Sequence, residues 1–251
     1  MYIDTEGIIL RQIKTVNGRR MVLLFSRKKG KISAGTSINE KGKSRSALAM
    51  RPFTFGRYQI YDRGGSYNIN EAYAIKSYYR IGEDVDKFMC SSYVLELTEK
   101  FTAEEQPNPG LFNLLMDFFN TIEGRNRKYM TLVLAYEIKA LDILGYMPET
   151  GQCICCGHKE KAAALDIREG GILCGNCLEN KRKKGNDPLI YDMSFDIIQI
   201  LNYFSERPLS ELQNLALGED KTGEIRKLLN EYIAFHLDIR DLKSEAYLTD
   251  K

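Results

Sequence analysis

The first third of the chain alternates apolar and polar residues over short stretches that are separated by glycine-rich turns. These strand-like stretches cover residues 7–13, 21–26, 32–35, 53–61 and 67–72. The polar turn 16–20 joins the first two and predicts a β-hairpin. Five short strands with such turns predict a small β-barrel of the OB type, with a sandwich as the alternative.

After residue 79 the apolar residues recur at three- and four-residue steps, which is the period of a helix. This pattern covers residues 85–101, 111–119 and 129–144, and it resumes beyond Pro188. Gly145 is expected to end the third helix, and Ser194 is the predicted N-cap of the fourth. The prediction is a multi-domain α+β protein, with an OB-fold barrel in residues 1–80 and an all-α helical domain in residues 81–251.

Two CxxC pairs lie in the helical region, and seventeen residues separate them. The four cysteines are Cys153, Cys156, Cys174 and Cys177. This spacing is typical of a tetrahedral S4 zinc site, so residues 150–185 are predicted to be an inserted zinc knuckle with one structural Zn²⁺. Buried free thiols or disulfides are the alternatives, and disulfides would need an oxidising compartment. The two remaining cysteines, Cys90 and Cys155, are predicted to be small buried apolar residues.

A catalytic interpretation of the same segment is the rival to a structural zinc. His158 and Glu160, followed by Cys174 and Cys177, resemble the pattern of the zinc deaminases. No proline precedes Cys174, and this interpretation leaves the first cysteine pair without a role. A closed S4 shell has no position for a reactive water, so the structural interpretation is favoured.

Positive charge is concentrated at the N-terminal end. Residues 1–80 hold 16 lysines and arginines against 5 acidic residues, whereas the other 171 residues hold 20 against 29. This asymmetry predicts an N-terminal domain that binds polyanions, the alternative being a solvated surface. The predicted phosphate contacts are Arg11, Lys14, Arg19, Arg20, Arg27, Lys28, Lys29, Lys31, Lys41, Lys43, Arg45 and Arg51.

The stretch 39–51 is basic, and its composition is typical of a mobile segment. Aromatic residues follow it and offer rings on which bases could stack; they are Phe53, Phe55, Tyr58 and Tyr61. Phe53 and Phe55 alternate along a strand, and this pattern favours the barrel core for these two rings. A second basic run, residues 181–184, either extends the nucleic-acid surface or forms a solvated turn.

The sequence contains no P-loop, no GxGxxG after a strand and no arrangement of serine, histidine and aspartate typical of a nucleophilic enzyme. A binding protein without catalytic activity is therefore predicted. The first six residues are acidic rather than basic, and no apolar run approaches the length needed to span a membrane. These features predict a cytoplasmic protein with no membrane partner.

The order of these parts resembles the RecO family of bacterial recombination mediators. The resemblance is carried by residues 6–11, 24–31, 52–53, 93–97, 107–112 and 144–148, by Tyr58 and by the first CxxC pair. It implies a DNA repair protein that binds single- and double-stranded DNA and anneals complementary strands at the nucleoid. It also implies the partners RecR and single-stranded-DNA-binding protein, with RecA loaded indirectly.

This chain departs from the family's pattern in two places. The turn 16–20 lacks the acidic residues often found there, and Leu165 stands where an aromatic residue is common. Two other functions stay open beside the recombination mediator. One is a zinc-dependent enzyme that modifies nucleobases, and the other is a zinc-containing adaptor that recruits protein partners.

Overall fold

The computed structural model describes residues 1–14, 20–159, 162–185, 187–193 and 195–248. Most of the predicted turn 16–20, together with Arg19, Glu160 and Ser194, therefore lies outside the described residues. The chain forms two compact units. The first contains Met1–Gly124 and Leu242–Leu248, and the second contains Arg125–Asp241.

Five strands of the first unit form a closed barrel in the order β1-β2-β3-β5-β4. They are β1 (Tyr2–Lys14), β2 (Arg20–Ser26), β3 (Gly30–Thr36), β4 (Thr54–Asp62) and β5 (Tyr67–Ser77). All neighbouring strands are antiparallel except β3 and β5, which pair in parallel over three residues and complete the closure together with the β1–β4 pairing. The predicted α+β class with an OB-type barrel is confirmed, and the sandwich is wrong.

Alternate residues of the strands fill the barrel with apolar side chains. The core is formed by Ile3, Ile9, Val22, Leu24, Ile32, Ala34, Tyr58, Ile60, Tyr67, Ile69 and Ala72. A short helix, α1 (Arg45–Ala49), adds Ala49 and Met50 to this core. The Ser44 hydroxyl caps α1 by accepting a hydrogen bond from the Ala47 N–H at 3.1 Å. The basic stretch 39–51 is therefore partly helical.

Two longer helices, α2 (Val85–Phe101) and α3 (Pro109–Gly124), complete the first unit. Aromatic rings join them to the barrel: Phe25 lies 5.3 Å from Phe112, and Phe53 lies 5.7 Å from Phe119. Phe53 was expected on a strand, but its φ of 55° places it just before β4 and directs the ring to the helices. It is buried, but outside the barrel core.

The second unit begins with α4 (Tyr129–Leu144), most of which is buried. Gly145 ends this helix with a φ of 78°, as predicted, and its N–H donates to the Asp142 carbonyl. Two further helices, α6 (Phe195–Glu206) and α7 (Glu219–Leu237), pack against α4. Within the described part of the chain, no helix is both long and apolar enough to cross a membrane.

The cysteine segment of the second unit is built on a small antiparallel sheet. Its strands are β6 (Ala162–Asp166), β7 (Gly171–Cys174) and β8 (Ile190–Asp192), in the order β7-β6-β8. The helix α5 (Gly175–Lys184) follows β7 directly. A Cβ on Gly171 would lie 2.4 Å from the Ile154 side chain, so a glycine is needed where the first cysteine pair meets the sheet.

Candidate functional site

Three exposed cations lie on the segment between the end of β3 and the first residue of α1. They are Lys41, Lys43 and Arg45, and the structure gives them no ion pair with any described residue. No described carboxylate therefore neutralises these three charges. Unpaired cations on one short segment are suited to contact phosphates.

Two arginines hold this segment in place. Arg20 donates to the Asn39 side-chain oxygen at 2.9 Å. The Arg51 guanidinium donates to the Glu40 and Gly42 carbonyls, each at 3.0 Å. Both were predicted phosphate contacts, and in the structure their side chains bind the segment itself.

A groove of about 730 Å³ lies at one end of the barrel, beside the start of this segment. Residues of β2, β3, β4 and β5, of the β4–β5 turn and of the segment after β3 line it, among them Arg20, Ser37, Tyr61, Tyr67 and Asn68. The turn between strands 4 and 5 and the end of the strand 1–2 connection are where OB-folds bind oligonucleotides. The groove and the exposed cations therefore form the candidate nucleic-acid interface.

Three other predicted contacts are engaged within the first unit. Both Glu99 carboxylate oxygens accept from Arg11, and the Glu99 backbone carbonyl accepts from Lys31 at 2.7 Å. Arg27 pairs with Glu6 at 3.1 Å and lies over the Phe112 ring at 4.5 Å. Burial lowers the pKa of Lys31, although nearby acidic groups oppose this effect. These cations connect the barrel to α2 and α3.

Two of the remaining predicted contacts, Lys28 and Lys29, lie on the turn after β2. Lys28 is exposed, and Lys29 lies 3.9 Å from Asp62. The side chain of Lys14 and the whole of Arg19 lie outside the described residues. The phosphate contacts of all twelve cations stay a prediction.

The structure separates the four rings that were considered for base stacking. Tyr58 is fully buried in the barrel, where its hydroxyl donates to the Ala49 carbonyl at 2.6 Å, so a stacking role is wrong for this ring. Phe53 and Phe55 pack against rings of α2 and α3 and are not part of the barrel core, so the core prediction is wrong for both. Tyr61 alone of the four lines the groove, and its ring lies 5.1 Å from that of Tyr2.

The four predicted metal ligands come together in the second unit. The sulfur atoms of Cys153, Cys156, Cys174 and Cys177 all lie within 4.8 Å of one another. Cys156 and Cys174, which belong to different pairs, have their sulfurs 3.7 Å apart. Four cysteines this close together can hold a metal ion.

Backbone N–H groups favour the thiolate form of one cysteine of this cluster, Cys153. Burial alone would raise the pKa of Cys153, but N–H groups of Cys174, Cys156 and Cys155 donate to its sulfur and lower the pKa to about 6. Cys174 is the N-cap residue of α5 and Cys177 lies in its first turn. The pKa of Cys177 is raised instead, because its thiol is hydrogen-bonded to the sulfurs of Cys156 and Cys174. Thiolates are the form that binds metal.

Among the described residues beside the cluster, the structure contradicts one sequence expectation, that for Cys155. Cys90 is buried as predicted, but Cys155 is exposed, so the prediction for Cys155 is wrong. His158 is not grouped with the described metal-ligand candidates, and its backbone carbonyl accepts from the Cys153 N–H at 2.9 Å. The run 181–184 forms the last turn of α5, where Lys181 pairs with the buried Asp166.

Two exposed residues on the outer face of the barrel were not predicted from the sequence as candidate site residues. Arg57 and Tyr73 lie opposite each other on β4 and β5. Irregular pairing near Gln59 and Ile60 shifts the register of β5, so a simple alternation does not assign its faces. No local signal in the sequence could have paired these two residues.

The structure is that of an OB-fold protein: a closed five-stranded barrel with a basic loop, followed by helices and a four-cysteine cluster. This architecture alone does not identify a role in DNA repair, and comparison with known families does. The family model described as "Recombination protein O N terminal" matches residues 1–78, and "Recombination protein O C terminal" matches residues 82–246. The chain belongs to the RecO family.

Relatives match over nearly the whole chain. The DNA repair protein RecO of Bacillus pumilus (strain SAFR-032) is 31% identical over 92% of this chain and 88% of its own length. The DNA repair protein RecO of Alkaliphilus metalliredigens (strain QYMF) is 28% identical over 95% of both chains. The resemblance seen in the sequence is confirmed.

Proposed function

We propose that this protein is a recombination mediator in DNA repair that binds single- and double-stranded DNA without catalytic turnover. Membership of the RecO family supports the role in repair and recombination. The observation that carries the DNA contact is the segment with Lys41, Lys43 and Arg45, whose exposed charges lie beside an OB-fold groove.

The proposed mechanism is electrostatic. Lysines and arginines that contact phosphates release condensed counterions, and this gain does not depend on the base sequence. Neutralised strands repel each other less, so two complementary strands held close together can pair. Annealing by this route needs no covalent catalyst.

The proposed partners follow from the family. We assign RecR and single-stranded-DNA-binding protein as direct partners, and RecA as a recombinase whose loading is assisted indirectly. Such a protein would act where bacterial DNA lies, at the nucleoid in the cytoplasm. Retention of purified RecR on the immobilised chain is the expected result, and its absence with folded proteins would contradict this assignment.

We propose that the cysteine cluster binds one structural Zn²⁺. Zinc–sulfur bonds of about 2.3 Å place tetrahedral sulfurs about 3.8 Å apart, close to the 3.7 Å between Cys156 and Cys174. The four thiolates would stabilise the fold of the proposed 150–185 insertion without providing a site for water.

X-ray absorption of the metal-bound protein tests this proposal. Four sulfur ligands and no nitrogen are expected. A nitrogen ligand or a bound water would instead favour the nucleobase-modifying enzyme, in which His158 would bind the metal.

Charge reversal tests the DNA contact. The triple variant Lys41→Glu, Lys43→Glu and Arg45→Glu is expected to bind DNA of any sequence more weakly. Its plot of log affinity against log salt should also flatten, by up to about 0.9 per lost contact on duplex DNA. Fluorescence anisotropy of labelled DNA, titrated at several salt concentrations, measures both quantities.

A matched control changes the net charge equally in the second unit, by Arg207→Glu, Lys221→Glu and Arg240→Glu. This control should keep the wild-type salt slope. Equal losses in both triple variants would mean that only total charge matters, which would contradict the proposed surface. If the wild-type protein is not retained on single-stranded DNA at low salt, a protein adaptor becomes the better interpretation.

A further inference from the structure

One exposed aromatic ring on the outer face of the barrel lies between cations. Tyr73, on β5, is 48% exposed. The Arg45 guanidinium carbon lies 4.9 Å from the centre of its ring, within the range of a cation–π interaction. Arg45 therefore supports the ring from one direction while about half of the side chain remains in contact with water.

A second guanidinium lies next to this ring. Arg57 on β4 is directly opposite Tyr73 and is exposed. Its own neighbour on the other side is Glu6, but the Glu6 carboxylate already pairs with Arg27 at 3.1 Å. Among the described residues, no hydrogen bond or ion pair engages the Arg57 guanidinium.

These residues continue the candidate interface along one strand. Asn70 lines the groove, and Tyr73 follows it three residues further along β5, or about 10 Å at the rise of a strand. Arg45 lies two residues after Lys43 and four after Lys41, both of which are exposed cations. A strand of nucleic acid that leaves the groove along β5 would therefore meet phosphate-binding cations and an exposed ring together.

We propose that Tyr73 stacks on one unpaired base of single-stranded DNA, with Arg45 orienting the ring and Arg57 contacting an adjacent phosphate. This inference rests on the proposed DNA-binding function and adds the residue that recognises an unpaired base. Aromatic side chains beside a basic groove bind single strands in this way because every base has a π-face.

Stacking on Tyr73 gives the interface a means to distinguish the two forms of DNA. In a duplex, neighbouring base pairs cover the faces of each base, so no base face is available to stack on the Tyr73 ring. The cations contact phosphates of either form. Tyr73 is therefore expected to contribute to single-strand binding alone.

The sequence contains no tryptophan, so a single introduced indole reports on its own surroundings. The variant Tyr73→Trp is titrated with an oligothymidine single strand and with a duplex of equal length. Its fluorescence should be quenched by the single strand and not by the duplex. The control is Tyr247→Trp, at a tyrosine of the same unit that is 62% exposed, and its fluorescence should not change.

Affinity measurements complete the test. Tyr73→Ala should lose about tenfold in single-strand affinity, with an unchanged salt slope and unchanged duplex affinity, because no phosphate contact is removed. Tyr73→Phe keeps the ring and should bind as the wild type does.

The stacking role would be overturned if Tyr73→Ala bound the single strand as tightly as the wild type, or if the indole at residue 73 stayed unquenched on bound DNA. Equal quenching by duplex would also overturn it. In each of these cases the wild type still binds DNA, so the proposed function stands. A wild type that binds no DNA would overturn both proposals.

Discussion

Arg125, in the second unit, is a charged residue that is only 4% exposed, and none of its hydrogen-bond partners among the described residues is a carboxylate. Its guanidinium donates instead to backbone carbonyls at the start of α4 and in the loop after α6. These acceptors belong to Arg127, Lys128, Leu212, Gln213 and Leu215. Burial lowers its pKa, but the many hydrogen bonds satisfy the charged group. Arg125 therefore joins two segments almost ninety residues apart in sequence.

Replacing Arg125 by methionine should lower the free energy of unfolding by about 3 kcal/mol or more, because several buried carbonyls lose their donors together. Urea unfolding followed by circular dichroism measures this loss. The control Arg127→Met removes an exposed arginine two residues away and should stay within about 0.5 kcal/mol of the wild type. Similar losses in both variants would contradict the structural role of Arg125.

The cysteines offer a second test at single residues. Cys153→Ala or Cys174→Ala should lose the bound zinc, lower the melting temperature and speed amide exchange across residues 150–185. Cys155→Ala should keep the metal, since this thiol is exposed and outside the cluster. Elemental analysis and thermal melts measure the outcome. A Cys153→Ala protein that melts like the wild type without metal would contradict a structural zinc.

The two sites also differ in what the sequence could reveal. The cysteine cluster was predictable because CxxC spacing is local, so each pair of sulfurs is brought together by one short turn. Arg125 gave no such signal, since its acceptors are backbone atoms of distant residues. Burial of a lone cysteine such as Cys155 depends on its neighbours in space, and the prediction from residue type was wrong.

At the scale of elements, the periodicity of apolar residues was sufficient to predict the barrel strands and the main helices. It was not sufficient where tertiary contacts decide the conformation. The five-residue helix α1 lies in a polar, basic stretch, and its formation depends on the Ser44 cap and on burial of Ala49. Phe53 leaves the strand pattern because its ring packs against Phe88 and Phe119.

A short C-terminal element is attached to α2 by one carboxylate. Glu96 accepts from the N–H groups of Lys243 and Ser244, at 3.0 and 2.8 Å, and from the Ser244 hydroxyl. Leu242 and Leu248, at the two ends of this segment, are buried. Burial opposes the charged form of Glu96, but the hydrogen bonds from Ser244 and Lys243 outweigh it and lower its pKa.

This lowered pKa predicts a pH dependence. A carboxylate with a lower pKa in the folded state stabilises the fold above its unfolded pKa, about 4.5, and loses this effect as the pH falls through the folded value. Amide exchange at Lys243 and Ser244 should therefore accelerate, relative to intrinsic rates, in acid. Glu96→Gln should show the faster exchange already at pH 7, whereas the exposed Glu83→Gln should not. Unchanged protection in Glu96→Gln would contradict the attachment.

At the scale of the whole molecule, a domain boundary was predicted near residue 80. The first compact unit of the structure continues beyond it to Gly124. The barrel buries Phe25 and Phe53 against α2 and α3, and Arg11 and Lys31 take their partners from α2. A fragment of residues 1–80 would expose these rings and leave these cations unpaired. A fragment of residues 1–124 keeps all of these contacts.

We expect fragment 1–124 to unfold cooperatively in urea and to retain the salt-dependent DNA binding of the whole protein. Fragment 1–80 should unfold at a lower urea concentration and bind a dye that detects exposed apolar surface. Circular dichroism, dye fluorescence and DNA anisotropy make the comparison. Equal stability of the two fragments would support an independent barrel domain that ends at residue 80.

The closed barrel has a consequence for how recognition can change. The barrel closes through the β1–β4 pairing and a three-residue β3–β5 pairing, so none of its described strands is an edge strand along its whole length. A ligand that binds the barrel surface is therefore recognised mainly by side chains rather than by strand pairing. Substitutions of outward-facing residues can therefore change the ligand preference during evolution. The backbone hydrogen bonds between the strands are not altered by such substitutions.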